Sequence, residues 1–309
     1  MTDSVVNTEV YHVPVMGPQC IEGLNIKPEG VYADVTFGGG GHSKLILNES
    51  GFKGSLFAFD KDDDARANII PDPRFHFFKT DFKYFHNFLR LEGYDKIDGI
   101  LADLGVSSHH FDTPERGFSF RFDAPLDMRM NQSDKFSACD LLNSYPAEKL
   151  SAVFKEYGEI NNAYRLALEI VNYRNNFSMK TVGDLLKAAQ KCMPLHKENR
   201  YSAMMFQALR IEVNGEIDTL KDFLSAAADA LKPGGRLVIM TYHSLEDRPV
   251  KNFIKTGNFS AERITDVYGN VLAPFVQINR KVIEPDEEEL QRNPRSRSAK
   301  LRIAERTSY

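Results

Sequence analysis

Cysteine is scarce in this chain. Among 309 residues there are only Cys20, Cys139 and Cys192, widely spaced and with no CxxC pair. An odd, scattered set excludes a disulfide framework, argues against zinc and fits a reducing compartment; no metal site is expected. Long apolar runs are missing as well, since nothing approaches the roughly 18 residues of a membrane span. Met1-Thr2-Asp3-Ser4 has neither the basic flank nor the apolar core of a secretion signal. The expectation is a cytoplasmic protein with no membrane partner. A strong charge of one sign is also absent. The formal net charge of −4 disfavours a generic nucleic-acid coat, but leaves room for an enzyme with one local basic surface. Arg292–Arg302 is a candidate for that surface, offset by the acidic run just upstream; a solvated helix with a charged tail is the plainer alternative. Internal repeats and low-complexity tracts are lacking.

What is present is an alternation of short apolar runs with helical patterns. The runs 30–34, 55–60, 75–78, 97–103 and 235–241 read as buried strands. Helical periodicity between most of them implies βαβ units and a mostly parallel sheet covered on both faces, an α/β fold. The alternation stops after Asp103. From about Ala147 to Lys191 the apolar residues recur at three and four, as in Leu150, Val153, Phe154 and Tyr157, or Leu166, Ile170 and Tyr173. The αβ pattern then resumes through helices near 203–213 and 220–231, a Lys232-Pro233-Gly234-Gly235 turn and the last strand. An inserted all-helical domain of about 90 residues within one doubly wound domain accounts for this. The expected boundaries are 1–112 with 204–309 for the sheet domain and 113–203 for the insertion.

Between the first strand and the next helix lies Gly38-Gly39-Gly40-Gly41-His42-Ser43. Glycines there let the backbone turn sharply and a ligand come close. The spacing is neither GxGxxG nor GxxxxGK[ST], so the loop fits neither a dinucleotide nor a triphosphate signature. Asp60 ends the second strand, where a carboxylate can accept both hydroxyls of a ribose. Thr80-Asp81-Phe82 follows the third strand, at a position that can meet an adenine. Asp103 ends the fourth, beside the switch point where open α/β sheets bind ligands. A sulfonium cofactor is cationic and carries an ammonium, which suits Asp34 or Asp103. A turn residue at Asp60 and helix caps at Asp34 and Asp103 are the structural alternatives.

Several longer blocks carry a resemblance: Asp103-Leu104-Gly105-Val106-Ser107-Ser108, Arg116-Gly117-Phe118-Ser119-Phe120, Leu126-Asp127-Met128-Arg129-Met130, Phe206-Gln207-Ala208-Leu209-Arg210-Ile211, Tyr242-His243-Ser244-Leu245-Glu246-Asp247-Arg248 and Asn293-Pro294-Arg295-Ser296-Arg297-Ser298-Ala299-Lys300-Leu301-Arg302. From about His12 to Arg306 the chain resembles the bacterial MraW family of ribosomal RNA small-subunit methyltransferases. The resemblance implies a class I, Rossmann-like methyltransferase sheet with an inserted helical domain. It implies N4-methylation of a cytidine in the decoding region of 16S ribosomal RNA, with S-adenosylmethionine as cofactor. It assigns cofactor binding to Gly40, Gly41, His42, Asp60, Phe82 and Asp103. His110 stands where the family commonly has a cofactor-contacting Gln, and an imidazole cannot donate and accept from one end as an amide does. Tyr201-Ser202-Ala203-Met204-Met205 replaces a more polar stretch, which weighs against an RNA contact there. The implied partner is small-subunit RNA within an assembled or assembling subunit; a homodimer is compatible with the sequence.

A cytosine amino nitrogen is a poor nucleophile because its lone pair is delocalised into the ring. The Pro-Pro-aromatic block of DNA amino-methyltransferases is absent after the fourth strand, so Asp103 and the following loop stand in its place, either polarising the amino group or anchoring the cofactor. His243, beyond the fifth strand, can take the released proton, although a capped turn with internal ion pairs explains the same residues. His12 and Arg129 are further candidates. Arg210 and Asn214 share a helix face and can meet phosphate or base edges, or form a buried network. The aromatics of Phe118, Phe120 and Phe122 can flank an extruded base or belong to a core. The insertion suits recognition of RNA shape. Competing functions are a nicotinamide oxidoreductase, a DNA or small-molecule methyltransferase, and a non-catalytic ribosome-assembly factor.

Overall fold

The computed structural model describes residues 14–105, 113–279 and 281–308. The chain divides into two compact units, 1–105 with 221–309 and 106–220. The second unit is longer than the 113–203 span expected from the sequence. Helix Glu198–Asn214 contributes Met205, Phe206 and Leu209 to the same apolar core as Phe154 and Leu166. Its periodicity alone could not show which core it would join.

The first unit is built on a seven-stranded sheet of order β3-β2-β1-β4-β5-β7-β6. The strands are β1 (Val31–Asp34), β2 (Ser55–Asp60), β3 (Phe75–Lys79), β4 (Ile97–Asp103), β5 (Leu231–Thr241), β6 (Phe275–Gln277) and β7 (Lys300–Arg306). β1 to β5 run parallel, and β7 pairs antiparallel with both β5 and β6. The strand order reverses between β1 and β4, which opens a crevice at their carboxyl ends. This is the Rossmann-like sheet expected. One face is packed by Cys20 and Leu24 of helix Gly17–Leu24 and by Ile46 of helix Gly41–Leu47. Phe59 and Phe85 meet in the core at 6.1 Å, and Phe85 meets Phe223 at 5.6 Å. Burial on both faces explains why the central strands lack polar alternation.

Two features depart from the sequence reading. Lys232-Pro233-Gly234-Gly235 does not separate a helix from a strand. It lies within β5, as an irregularity where Ile97 pairs with Leu231 and Gly99 with Arg236. The basic C-terminal stretch is not a solvated tail either. Lys300–Arg306 is an inner strand, Ser296 is fully buried and Arg302 is nearly so. Arg302 forms a bidentate pair with Asp247 at 2.8 and 3.0 Å. Burial alone would raise the Asp247 carboxyl, but the Arg302 bonds, with Lys300 and Lys251 nearby, hold it below its ordinary range. Arg295 and Arg297 remain exposed.

The second unit is helical. Its helices include Ala138–Ser144, Ala147–Glu156, Ala163–Asn176, Val182–Ala189 and Glu198–Asn214. Ser137 with Asp140, and Thr181 with Asp184, form reciprocal capping boxes that fix two helix starts. The periodic residues Leu150, Val153, Phe154, Leu166, Ile170 and Leu185 are all buried in its core.

Candidate cofactor and active site

The site is assembled at the carboxyl edge of the parallel strands in the first unit. After β1 the chain turns through Val35–Gly40 and enters helix Gly41–Leu47. Gly40 has φ +74, and a Cβ there would lie 2.9 Å from the Phe37 ring. Only glycine adopts that left-handed conformation at little cost, and this loop uses it to bring its backbone close to the crevice.

Asp60 closes the loop from the neighbouring strand. One carboxylate oxygen accepts the Gly38 N–H at 2.8 Å and the other accepts the Asp62 N–H at 2.8 Å. A carboxylate has about four acceptor positions, and one at a strand end of this kind of sheet is of the type that takes ribose hydroxyls. Phe82 follows β3 and is half-buried, edge-on to Phe223 at 5.3 Å.

Asp34 and His42 prove to be braces. Asp34 is 1% exposed. It accepts the Ser43 hydroxyl at 2.7 Å and the Thr36 N–H at 3.2 Å. Burial raises its carboxyl above the ordinary value, against the lowering effect of His42 and of these bonds. Its carboxylate is spent inside the fold and does not reach an ammonium in the crevice. The His42 ring is buried with Nε2 3.0 Å from the Val15 carbonyl oxygen.

Asp103 ends β4 and is only half-buried. Its N–H donates to Thr36 Oγ1 at 2.7 Å, and its Oδ1 accepts the Gly105 N–H at 3.2 Å. The Tyr242 phenol hydrogen-bonds to it as well; burial, then the Asp103 charge and that bond, push the phenol well above its ordinary pKa. A Cβ on Gly105 would lie 2.7 Å from the Tyr242 ring, so glycine there lets the ring lie against the strand end. Thr36 and Tyr242 were not singled out from the sequence. Their part depends on β1 and β5 flanking β4, which no local pattern reveals.

His243 caps helix Ser244–Thr256, just past the end of β5. Its Nε2 lies 3.0 Å from Glu246 Oε1, and Glu246 Oε2 accepts the Tyr242 N–H at 3.0 Å. The Tyr242–Arg248 block is thus two devices, a His243–Glu246 pair at the strand end and a buried Asp247–Arg302 anchor. His12 and His110 lie outside the described residues.

Residues of the second unit with a claim to RNA contact mostly hold each other. Asn214 donates to the Met128 and Arg210 carbonyls and accepts the Met130 N–H, each at 2.8 Å. Arg210 pairs with Glu216 at 2.8 Å and Arg129 with Asp127 at 2.6 Å. Buried Arg116 donates to the carbonyls of Arg129 and Met130. Phe118 is core and Phe120 packs on Phe206 at 5.6 Å, whereas Phe122 is exposed. Tyr201 and Ser202 are buried. A shallow cleft of about 230 Å³ in this unit is lined by Asp127, Arg129, Asp140 and Lys180 among others.

A family model described as the MraW methylase family matches residues 9–307. The chain belongs to the MraW methylase family. Members are S-adenosylmethionine-dependent methyltransferases, and this MraW-family chain is one by that membership. A Bacteroides thetaiotaomicron protein named ribosomal RNA small subunit methyltransferase H is 54% identical over 296 residues, covering 96% of this chain and 97% of that one. Relatives of the same name from Porphyromonas gingivalis and Flavobacterium johnsoniae are 53% and 52% identical, each over 302 residues. They cover 96% and 98% of this MraW-family chain and 97% and 100% of their own lengths. Among the described residues no helix is long and apolar enough to cross a membrane.

Proposed function

We propose that this MraW-family protein methylates the N4 amino nitrogen of a cytidine in the decoding region of 16S ribosomal RNA. The observation that carries the proposal is the meeting of a glycine loop, Asp60 and Asp103 at the switch point of a methyltransferase sheet. The name shared by its relatives supports small-subunit RNA as the substrate. When bound, S-adenosylmethionine supplies an electrophilic methyl on a sulfonium. The residues present suit it: the Gly40–Gly41 turn and the His42 N–H would cradle it, Asp60 would accept the ribose hydroxyls, Phe82 would lie against the adenine and Asp103 would take the ammonium. His110 is retained as a cofactor contact by analogy of position alone.

His243 is the proposed proton acceptor at the target nitrogen. It lies two residues past the end of β5, the strand that pairs with β4 and so adjoins Asp103 in the sheet. The helical unit is proposed to read RNA shape, with its exposed Phe122 offered to an extruded base. The test is incubation with labelled S-adenosylmethionine and small subunits from a strain lacking the enzyme, then mapping of the modified nucleoside. N4-methylcytidine in the decoding region is expected. Label in another nucleoside, or none with well-folded protein, refutes the assignment.

A further inference from the structure

We infer that the Thr36 hydroxyl is a cofactor-binding group that donates its hydrogen to the carboxylate of the methionine tail, while Asp103 holds the ammonium. The inference rests on Asp103 as the ammonium partner and adds the group that reads the other end of the same zwitterion.

Thr36 stands just past β1, where the sheet opens. Asp34 pairs with Leu101, and the Val35 N–H still bonds to the Leu101 carbonyl at 3.0 Å. In a regular parallel ladder the next bond would run from the Asp103 N–H back to a β1 carbonyl. Here that N–H goes to Thr36 Oγ1 at 2.7 Å. A side chain thus carries the pairing one step beyond the backbone, between the two strands where the order reverses. The exchange changes the chemistry of the position. A carbonyl only accepts, whereas a hydroxyl that accepts still has a hydrogen to give. Besides this bond, Thr36 gives its own N–H to Asp34 Oδ1 at 3.2 Å, and among the described residues no acceptor takes its hydroxyl hydrogen. The residue is only partly buried.

The neighbouring donors are already used inside the fold. The Phe37 and Leu104 N–H groups go to the carbonyls of Phe59 and Met240, each at 3.0 Å. The Gly38 N–H goes to Asp60 at 2.8 Å and the Gly105 N–H to Asp103 at 3.2 Å. No backbone N–H is left over from Val35 to Gly38 or from Asp103 to Gly105, and no other side chain in these two segments carries a donor. The charged groups at these strand ends, Asp60 and Asp103, are both acids. A carboxylate entering beside them needs a donor aimed at it, and the Thr36 hydroxyl is that donor. The two ends of the amino-acid tail are then read by two groups that are bonded to each other. The Asp103 side chain takes the ammonium, and the hydroxyl that holds the Asp103 N–H takes the carboxylate.

The test compares two ligands by calorimetric titration into the full chain. One is S-adenosylhomocysteine; the other is its decarboxylated analogue, which keeps the amine and lacks the carboxylate. The wild-type protein is expected to bind the first about tenfold more tightly or better, the worth of one charged hydrogen bond. Equal affinities in the wild type overturn the inference without any variant having to fold. Thr36→Val should remove about tenfold of that preference, and Thr36→Ser should keep it. A Thr36 that only held the Asp103 N–H would shift both affinities together and leave their ratio as it was, so an unchanged ratio in Thr36→Val overturns the inference. Asp103→Asn tests the reading beneath it and should weaken both ligands, since both carry the amine. Weakening in Asp103→Asn beside an unchanged ratio in Thr36→Val overturns the role of Thr36 alone. No weakening of either ligand in Asp103→Asn overturns the placing of the tail at this strand end, and this inference with it.

Discussion

Replacing Gly40 by alanine separates backbone strain from loop function. At φ +74 an alanine costs about 1–2 kcal/mol from the left-handed conformation alone. Its Cβ would also sit 2.9 Å from Cε2 and 3.1 Å from Cζ of Phe37. That ring is 3% exposed and packed by Phe75 at 5.2 Å and Phe77 at 5.4 Å, so it yields only by leaving its rotamer, for about 0.5–1.5 kcal/mol more. Gly51 is the matched control, with φ +80 and nothing within 4 Å of an added Cβ. Gly51→Ala carries the backbone cost without the clash and lies outside the cofactor loop. Each kcal/mol lowers Tm by roughly 2–4 °C in a unit of this size, so Gly40→Ala should melt a few degrees below Gly51→Ala. Calorimetric titration should show its Kd for S-adenosylmethionine raised about tenfold, near 1.4 kcal/mol, with Gly51→Ala unchanged. Equal melting of the two variants together with wild-type affinity in Gly40→Ala would refute the assignment of this turn to the cofactor.

Four further outcomes follow from the same structure. Asp60→Ala should raise that Kd by about 10- to 100-fold, the worth of roughly 1.5–3 kcal/mol in charged hydrogen bonds; equilibrium binding checks it. Asp247→Asn should destabilise the protein by about 3–5 kcal/mol in urea unfolding, because it leaves the buried Arg302 guanidinium without its counter-ion. Asp98 is held by Lys232 at 2.7 Å, Lys27 at 3.1 Å and the Val31 N–H at 3.1 Å. Burial would raise its carboxyl, but these bonds outweigh that and depress it. A depressed carboxyl stabilises above its unfolded pKa of about 3.9 and loses that contribution as pH falls through the lower folded value. The stability gap between wild type and Asp98→Asn should therefore be full at neutral pH and shrink below about pH 4. Asn214→Ala should speed amide exchange around Met128–Met130, which it holds by two bonds at 2.8 Å, while leaving cofactor affinity unchanged.

The α/β class, the five parallel strands and the helical interruption were legible because their signals are local. A run such as Ile97–Asp103 is apolar throughout because both faces of its strand are covered, and Leu150, Val153 and Phe154 share one side of a helix. The glycine loop, Asp60 and Asp103 were legible for the same reason, as residues set at strand ends. What the chain alone could not reveal depends on partners distant in sequence. Arg302 looks like part of a basic tail until β7 pairs with β5 and delivers it to Asp247. Asp34 and Asp103 look alike as strand-end acids. The Ser43 hydroxyl and near-complete burial turn the first inward as a brace, while the second stays half-exposed beside Tyr242. Local pattern decides which elements form, because backbone preference and side-chain period act over a few residues. Tertiary packing decides which polar groups are used up inside and which remain for a ligand, because only the assembled sheet sets their distance, burial and charge.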